Sequence, residues 1–265
     1  NSRFSTYDIS NPNTINLTST TLLNQTDING IKVNGNYAYV TGSFQGVGKL
    51  ITVDISDPQA PHQVSSMSTY GGDLAIQGNK LYVVSDSLEI YDISNPASPT
   101  LTGKAIKSTT NARGRIIVQN NFAYIIGDQL TIFNVSNPAN PVLASNTPIV
   151  IQCANLGTGT SCLQVAAAQI FIHGNYLYVP VLYYPYEKKE SYLVGYDISS
   201  PAAPRKTMET KISEDWYPSY DMKDNYLFVN NPTSAKINIY TINNGYVSTG
   251  AKMTSGEQGQ VIVKG

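Results

Sequence analysis

Aspartate returns at one fixed point of a repeated hexapeptide, at Asp8, Asp54, Asp92 and Asp197, and carboxylates repeated in that way could converge as metal ligands or as an acid–base set. Their setting argues otherwise. The hexapeptide is Tyr-Asp-Ile-Ser-Asn-Pro or a close variant, at Tyr7 to Pro12, Val53 to Pro58, Tyr91 to Pro96, Phe133 to Pro138 and Tyr196 to Pro201, with a worn copy at Tyr240 to Asn244. Asn134 and Thr241 replace the aspartate in two copies. A short side-chain acceptor before a proline-containing loop bonds the loop's own amides. A structural role is therefore expected, with no metal and no cofactor.

Other catalytic signals are thin. The two histidines, His62 and His173, stand beside a proline and before a Gly-Asn turn, where solvent exposure is expected. Neither a Gly-x-Ser-x-Gly elbow nor a His-Glu-x-x-His helix occurs. The glycines between Gly42 and Gly48 join two strands and do not open a helix, so they do not cradle phosphate. Cys153 and Cys162 bracket a loop of small residues that can fold back on itself. A disulfide is expected there over two reduced thiols, and a zinc site is disfavoured for want of ligands. Sequons at Asn16, Asn24 and Asn134 fit export with little weight.

The composition narrows the partners. Charged residues are only 13% of the chain, 17 basic against 18 acidic, and 19 tyrosines join the serines, threonines and asparagines at polar positions. No basic stripe offers itself to phosphates, so nucleic acid is not expected. No apolar run approaches the roughly 18 residues that cross a bilayer. Membrane insertion is not expected, and the first residue looks like a processed or trimmed end.

A second motif, a turn followed by an apolar-aromatic run, alternates with the hexapeptide. It starts at Gly35, Gly78, Asn120, Gly174 and Asp224, as in Gly35-Asn36-Tyr37-Ala38-Tyr39-Val40. The turn pairs suit two-residue hairpins between a first and a second strand. Runs such as Lys49 to Val53, Leu88 to Tyr91 and Leu130 to Phe133 read as third strands, ended by the prolines. A four-stranded unit with a period of about 40 to 45 residues is the mark of a propeller blade, and blades stack radially to bury their faces. The sequence thus predicts an all-β propeller of four-stranded antiparallel blades in one domain, residues 1–265.

Six blades are expected, five complete and one shared by the chain ends, residues 1–28 and 256–265. Residues 3 to 10 and 15 to 23 read as its third and fourth strands, and Gln260 to Gly265 as its first. Its second strand is missing, so residues upstream supply it or the natural chain is longer, with a seventh blade. The stretches Leu50 to Pro61, Leu88 to Pro99, Leu130 to Pro141 and Leu193 to Pro204 resemble the LVIVD repeat, a propeller-forming family of bacterial and archaeal proteins, many of them surface-associated. That resemblance implies the fold and an extracytoplasmic location, at the cell surface, secreted or periplasmic. It carries over no catalytic residue.

At one end of every blade the connections are short and regular; at the other they vary, and that end is where function is expected. The largest insertion, about Ala144 to Ala168, carries the cysteines. A second runs from Pro180 to Ser191, and Trp216-Tyr217-Pro218 enters the next blade from the same end. Tyr183, Tyr184, Tyr186, Trp216 and Tyr217, edged by Lys188 and Lys189, have the composition of an interaction hot spot. They would bind a protein or a surface glycan, against the alternative that they only pack over the long loop. The channel mouth is the other candidate. Gly30, Asp73, Arg115, Gln169, Ser219 and Gln260 align at one level, with Asp27, Arg113 and Glu257 nearer the variable end. Asp73 with Arg113, Arg115 and Gln169 would hold a small polar ligand there, although mutual neutralisation of Asp73 and Arg115 is favoured. The function expected is a non-enzymatic interaction module or structural subunit of a larger surface or envelope assembly. The rivals are a carbohydrate adhesin and an enzyme or small-ligand receptor at the channel mouth.

Overall fold

The computed structural model describes residues 2–11, 13–23, 27–69, 71–106, 114–127, 129–149, 154–155, 160–161, 169–183, 190–215, 218–232 and 234–254. The fold is all-β, and it is a β-propeller. Five antiparallel sheets have four strands in the order of the chain. Blade one is Asp27–Asn34, Tyr37–Phe44, Val47–Asp54 and His62–Ser68, and blade two is Asp73–Gln77, Lys80–Val84, Ser87–Asp92 and Thr100–Ile106. Blade three is Arg115–Gln119, Phe122–Ile126, Gln129–Asn134 and Val142–Pro148. Blade four is Phe171–His173, Tyr176–Tyr183, Glu190–Asp197 and Arg205–Ser213, and blade five is Ser219–Lys223, Tyr226–Asn231, Lys236–Asn243 and Tyr246–Thr254. Before them, Arg3–Asp8 pairs with Asn16–Leu22 as a two-stranded sheet. The stretch 256–265 expected to share its blade lies outside the described residues.

The turn chemistry explains the strand boundaries. Gly35, Gly78 and Gly174 open their hairpins at φ of 57°, 57° and 59°, and Asn120 and Asp224 take the same left-handed backbone in the other two blades. Third strands end as the hexapeptide dictates. The amides of Ser10, Ser56, Ser94, Ser136 and Ser199 donate to Asp8, Asp54, Asp92, Asn134 and Asp197 at 2.8 to 2.9 Å. A second set of turn bonds follows three residues on, from Asn13, Gln59, Ala97 and Ala139 to Asn11, Asp57, Asn95 and Asn137. Asparagine accepts the same bond in the third blade, so what the turn requires is a short hydrogen-bond acceptor.

The chain divides into two compact units, Asn1–Ala123 with Phe133–Val142 and Tyr124–Ile132 with Leu143–Gly265. In the first unit, Tyr39 and Leu50 of blade one pack with Leu74, Leu81, Val83 and Tyr91 of blade two. In the second, Tyr178, Leu193 and Met208 of blade four pack with Tyr220, Leu227, Val229 and Tyr240 of blade five. The core is thus laid down between consecutive sheets, each fully buried aliphatic side chain contributing about 1.5 to 3 kcal/mol.

The third and outer strands are also latched to the loop of the next sheet. Thr6 and Thr21 donate to the carbonyls of Pro58 and Pro61, both at 2.6 Å, and Ser145 donates to that of Pro201 at 2.8 Å. Between blades two and three the contact is so close that a Cβ on Gly103 would lie 2.0 Å from the Pro138 carbonyl. The fourth strands carry a register shift near this point, at Thr52/Val53, Leu101/Gly103 and Gly195/Tyr196. Such bulges sharpen the local twist and turn the outer strand toward its neighbour.

Candidate functional site

The two ends of the sheets differ as expected. At the regular end, first and second strands are joined by two residues in all five blades, and third and fourth strands by seven in blades one to four. At the other end, four residues join blade one to two and eight join two to three, while the connection into blade four spans residues 149–170.

Blade four departs from expectation in one respect. The stretch from Pro180 to Ser191 is not all connection: Pro180 to Tyr183 prolong the second strand, and Glu190 and Ser191 begin the third, with Tyr183 opposite Glu190. A proline is tolerated because the first strand stops at Phe171 opposite Tyr178. Beyond that point the second strand needs ladder bonds on one side only. The hairpin is braced at its far end, where Lys211 Nζ lies 2.9 Å from Glu190 and 2.7 Å from Glu214, and Tyr192 donates to Glu190 at 2.9 Å. Those carboxylates hold the Lys211 ammonium above its usual range, Glu214 contributing most.

Of the expected aromatic cluster, Tyr184, Tyr186, Lys188, Trp216 and Tyr217 lie outside the described residues, and for Tyr183 only the backbone is described. Asp215 is buried, its carboxylate accepts from Ser234 Oγ at 3.2 Å and Ser234 N at 3.4 Å, and its amide donates to Ser213 Oγ at 3.0 Å. Ser213 in turn bonds Asn231, whose amide donates to the carbonyls of Val229 and Lys236. Two connections at the variable end of blade five are thereby tied to one buried polar network.

At the channel level the alignment of first strands holds within the first unit. Asp73 stands between Gly30 and Arg115. Its Oδ2 accepts from Ile116 N at 3.0 Å, and Arg115 reaches Oδ1 at 3.8 Å. A Cβ on Gly30 would sit 2.9 Å from the Leu74 side chain and 3.2 Å from Asp73 Oδ1. Burial pushes the Asp73 carboxyl above the usual range, opposed by the Ile116 amide and by the Arg115 and Lys32 cations. This carboxylate joins adjacent first strands. Gln169 is half-buried just ahead of the first strand of blade four, and Arg113 lies outside the described residues.

The remaining sequence candidates are quickly placed. Cys153 and Cys162 lie outside the described residues; between them Ala154 pairs with Ser161 and Asn155 with Thr160 in a short antiparallel ladder. His62 is exposed, its Nδ1 3.2 Å from the Ala60 carbonyl oxygen. His173 is half-buried at the end of its strand.

Sequence reasoning passed over Glu89. It is buried in the third strand of blade two, accepting from Thr69 Oγ1 at 2.7 Å and Tyr91 OH at 2.8 Å, with Lys104 Nζ at 3.3 Å. The signal was a charge in a column that carries Ile51, Thr131 and Val194 in sister blades. Burial, chiefly, and the neighbouring carboxylate raise the Tyr91 phenol far above its usual range.

Comparison with known proteins decides the family. The model of the LVIVD repeat matches residues 27–69, 70–105, 112–147 and 166–208. The chain belongs to the LVIVD-repeat family. No curated protein matches it. Among solved structures, the LVIVD chain is similar to a periplasmic gluconolactonase of Pseudomonas aeruginosa, with 13% identity, TM-score 0.73 and coverage of 96% of this chain and 78% of that one. It is similar to a putative 6-phosphogluconolactonase of Bacteroides fragilis, at 14% identity and TM-score 0.70 over 97% and 78%. A hypothetical selenium-binding protein of Sulfolobus tokodaii matches at 11% identity and TM-score 0.67 over 96% and 74%. Identities this low speak for the propeller fold alone. Among the described residues no helix is long and apolar enough to cross a membrane.

Proposed function

We propose that this LVIVD-repeat propeller is a non-enzymatic, extracytoplasmic interaction module, a component of a larger surface or envelope assembly. It binds a protein partner through the variable ends of blades four and five. The observation that carries the reading is the asymmetry of the connections: turns of fixed length at one end of blades one to four, and connections of varying length, up to residues 149–170, at the other. The Asp215 network and the Glu190–Lys211–Glu214 group support it, because both brace the strands that lead into the aromatic segments. Rigid support of this kind lowers the ordering cost of binding. The expected disulfide and the periplasmic location named for one structural relative agree with export.

The test compares the chain with a variant in which Tyr183, Tyr184, Tyr186 and Trp216 are replaced by Ser, in affinity capture from envelope and secreted fractions. The expected result is a protein retained by the first and lost with the second while the variant stays folded. A glycan lost in the same way would establish the adhesin instead. A second reading draws on the two lactonase relatives and on Asp73, a desolvated carboxyl beside Arg115 at the first strands. Hydrolysis of gluconolactone by this chain, abolished by Asp73→Asn, would replace the interaction module with an enzyme.

A further inference from the structure

An asparagine two residues ahead of a serine or threonine is the pattern on which an N-linked glycan is built, and it stands at Asn16, Asn24 and Asn134. The structure sorts the three. Asn134 is engaged by the fold: it is half-buried, and its Oδ1 accepts from the amide of Ser136, the residue that completes its own motif. It fills the place that Asp54 and Asp92 hold in blades one and two. Asn24 lies outside the described residues. Asn16 is exposed at the head of Asn16–Leu22. That exposure belongs to the position in the repeat. Asn16–Leu22 follows the same order of exposed and half-buried residues as His62–Ser68, Thr100–Ile106 and Val142–Pro148, the outermost strands of three complete blades. First and second strands added to this sheet would join the other edge of Arg3–Asp8 and leave Asn16 in solvent.

What sets this outer strand apart from its sisters is the lack of a guard. Ile15, Leu17 and Leu22 are each more than half exposed, and residues 15–23 contain neither a charge nor a proline. Lys104, Pro148, Arg205 and Lys252 interrupt the outer strands of blades two to five, and the exposed positions of the one in blade one are His62, Gln63, Ser66 and Ser68. An uncharged β-forming window on an outer edge pairs with copies of itself unless something breaks it. We infer that Asn16 is a glycan acceptor and that its oligosaccharide shields this edge, a bulky and solubilising group in the role that charge plays elsewhere. In the transfer, the bond from C1 of the sugar to the phosphate of a lipid-linked oligosaccharide breaks and a bond from Asn16 Nδ2 to C1 forms. The lipid phosphate leaves with the electron pair, and a base of the transferase takes the amide proton. The inference rests on the extracytoplasmic reading, because this modification marks the surface of exported chains.

The test isolates the full chain from the extracytoplasmic fraction of its native cells and reads its peptides by mass spectrometry. The expected result is a sugar-bearing peptide across Asn16, a bare one across Asn134, and loss of the glycan in both Asn16→Gln and Thr18→Ala. Light scattering gives the second readout: each bare variant should self-associate more than the glycosylated parent. Adding Thr20→Lys to Asn16→Gln, at the exposed position where blade two carries Lys104, should restore the parent's behaviour. A bare Asn16 on the exported chain, a glycan at Asn134, or a glycan that survives Thr18→Ala would overturn the inference. Bare variants that associate no more than the parent would overturn the shielding. A chain confined to the cytosol would overturn the export reading along with it, whereas a bare Asn16 on an exported chain leaves that reading standing.

Discussion

Replacing Glu89 by Val puts into blade two the residue that blade four carries at Val194. The carboxylate now accepts from Thr69 and from Tyr91, and it lies beside Lys104. Without it, the buried Tyr91 hydroxyl loses its acceptor, at a cost of about 1 to 3 kcal/mol. Lys104 is more than a third exposed and turns to water, so the ion pair adds close to nothing. Thr69 lies near solvent and contributes little. The net expectation is a loss of about 2 kcal/mol. Tyr91→Phe alone should cost about 1 kcal/mol, the value of one hydrogen bond. The double variant should cost clearly less than the sum, because the second change removes the group that the first one orphaned. Urea unfolding followed by far-UV circular dichroism reads this as a shift in midpoint at constant slope. A Glu89→Val midpoint indistinguishable from the parent, or strict additivity in the cycle, would refute the reasoning.

The sites of closest packing and of turn bonding yield three more expectations. Gly72→Ala would place a Cβ 1.6 Å from the Val84 carbonyl oxygen, against backbone that cannot yield, and is expected to cost more than about 3 kcal/mol, seen as lost soluble yield and a lowered urea midpoint. The carboxyls of Asp8, Asp54 and Asp197 are held below their usual range mainly by the serine bonds, and that of Asp92 by Lys80 first and then Ser94. A lowered folded pKa stabilises above the unfolded value, near 3.8, and that contribution is lost as pH falls through the folded values. Changing all four to Asn, as at Asn134, should therefore flatten the acid limb of a midpoint-against-pH curve. Finally, the disulfide expected from the sequence between Cys153 and Cys162 has a direct check: the intact mass before reduction should be two hydrogens below that after it, and equal masses would show free thiols.

Most of the fold was legible because it is written several times. A turn pair, an apolar-aromatic run and a hexapeptide recur, and each feature is local: a φ at Gly35, an Asx bond at Asp54, a proline that ends a strand. The Asp73–Arg115 pair was legible too, since aligning first strands on their turns is enough to find it. Glu89 and Asp215 were not. Their partners, Thr69 and Ser234, lie about twenty residues away, and nothing local distinguishes a buried carboxylate from a solvated one. Pro180 misled for the opposite reason. The local rule that proline ends a central strand is suspended where the neighbouring strand has already stopped.

The latches to proline carbonyls bear on how such a chain can change its length. At three joints a hydroxyl or a bare backbone meets the proline loop of the next sheet, Thr6 with Pro58, Gly103 with Pro138 and Ser145 with Pro201. Blade three carries both halves of the joint, Pro138 and Ser145, in one segment. A tandem copy inserted between two blades would meet ready-made fittings on either side, so growth by whole repeats requires no new contact, whereas loss of part of a repeat strands half a joint.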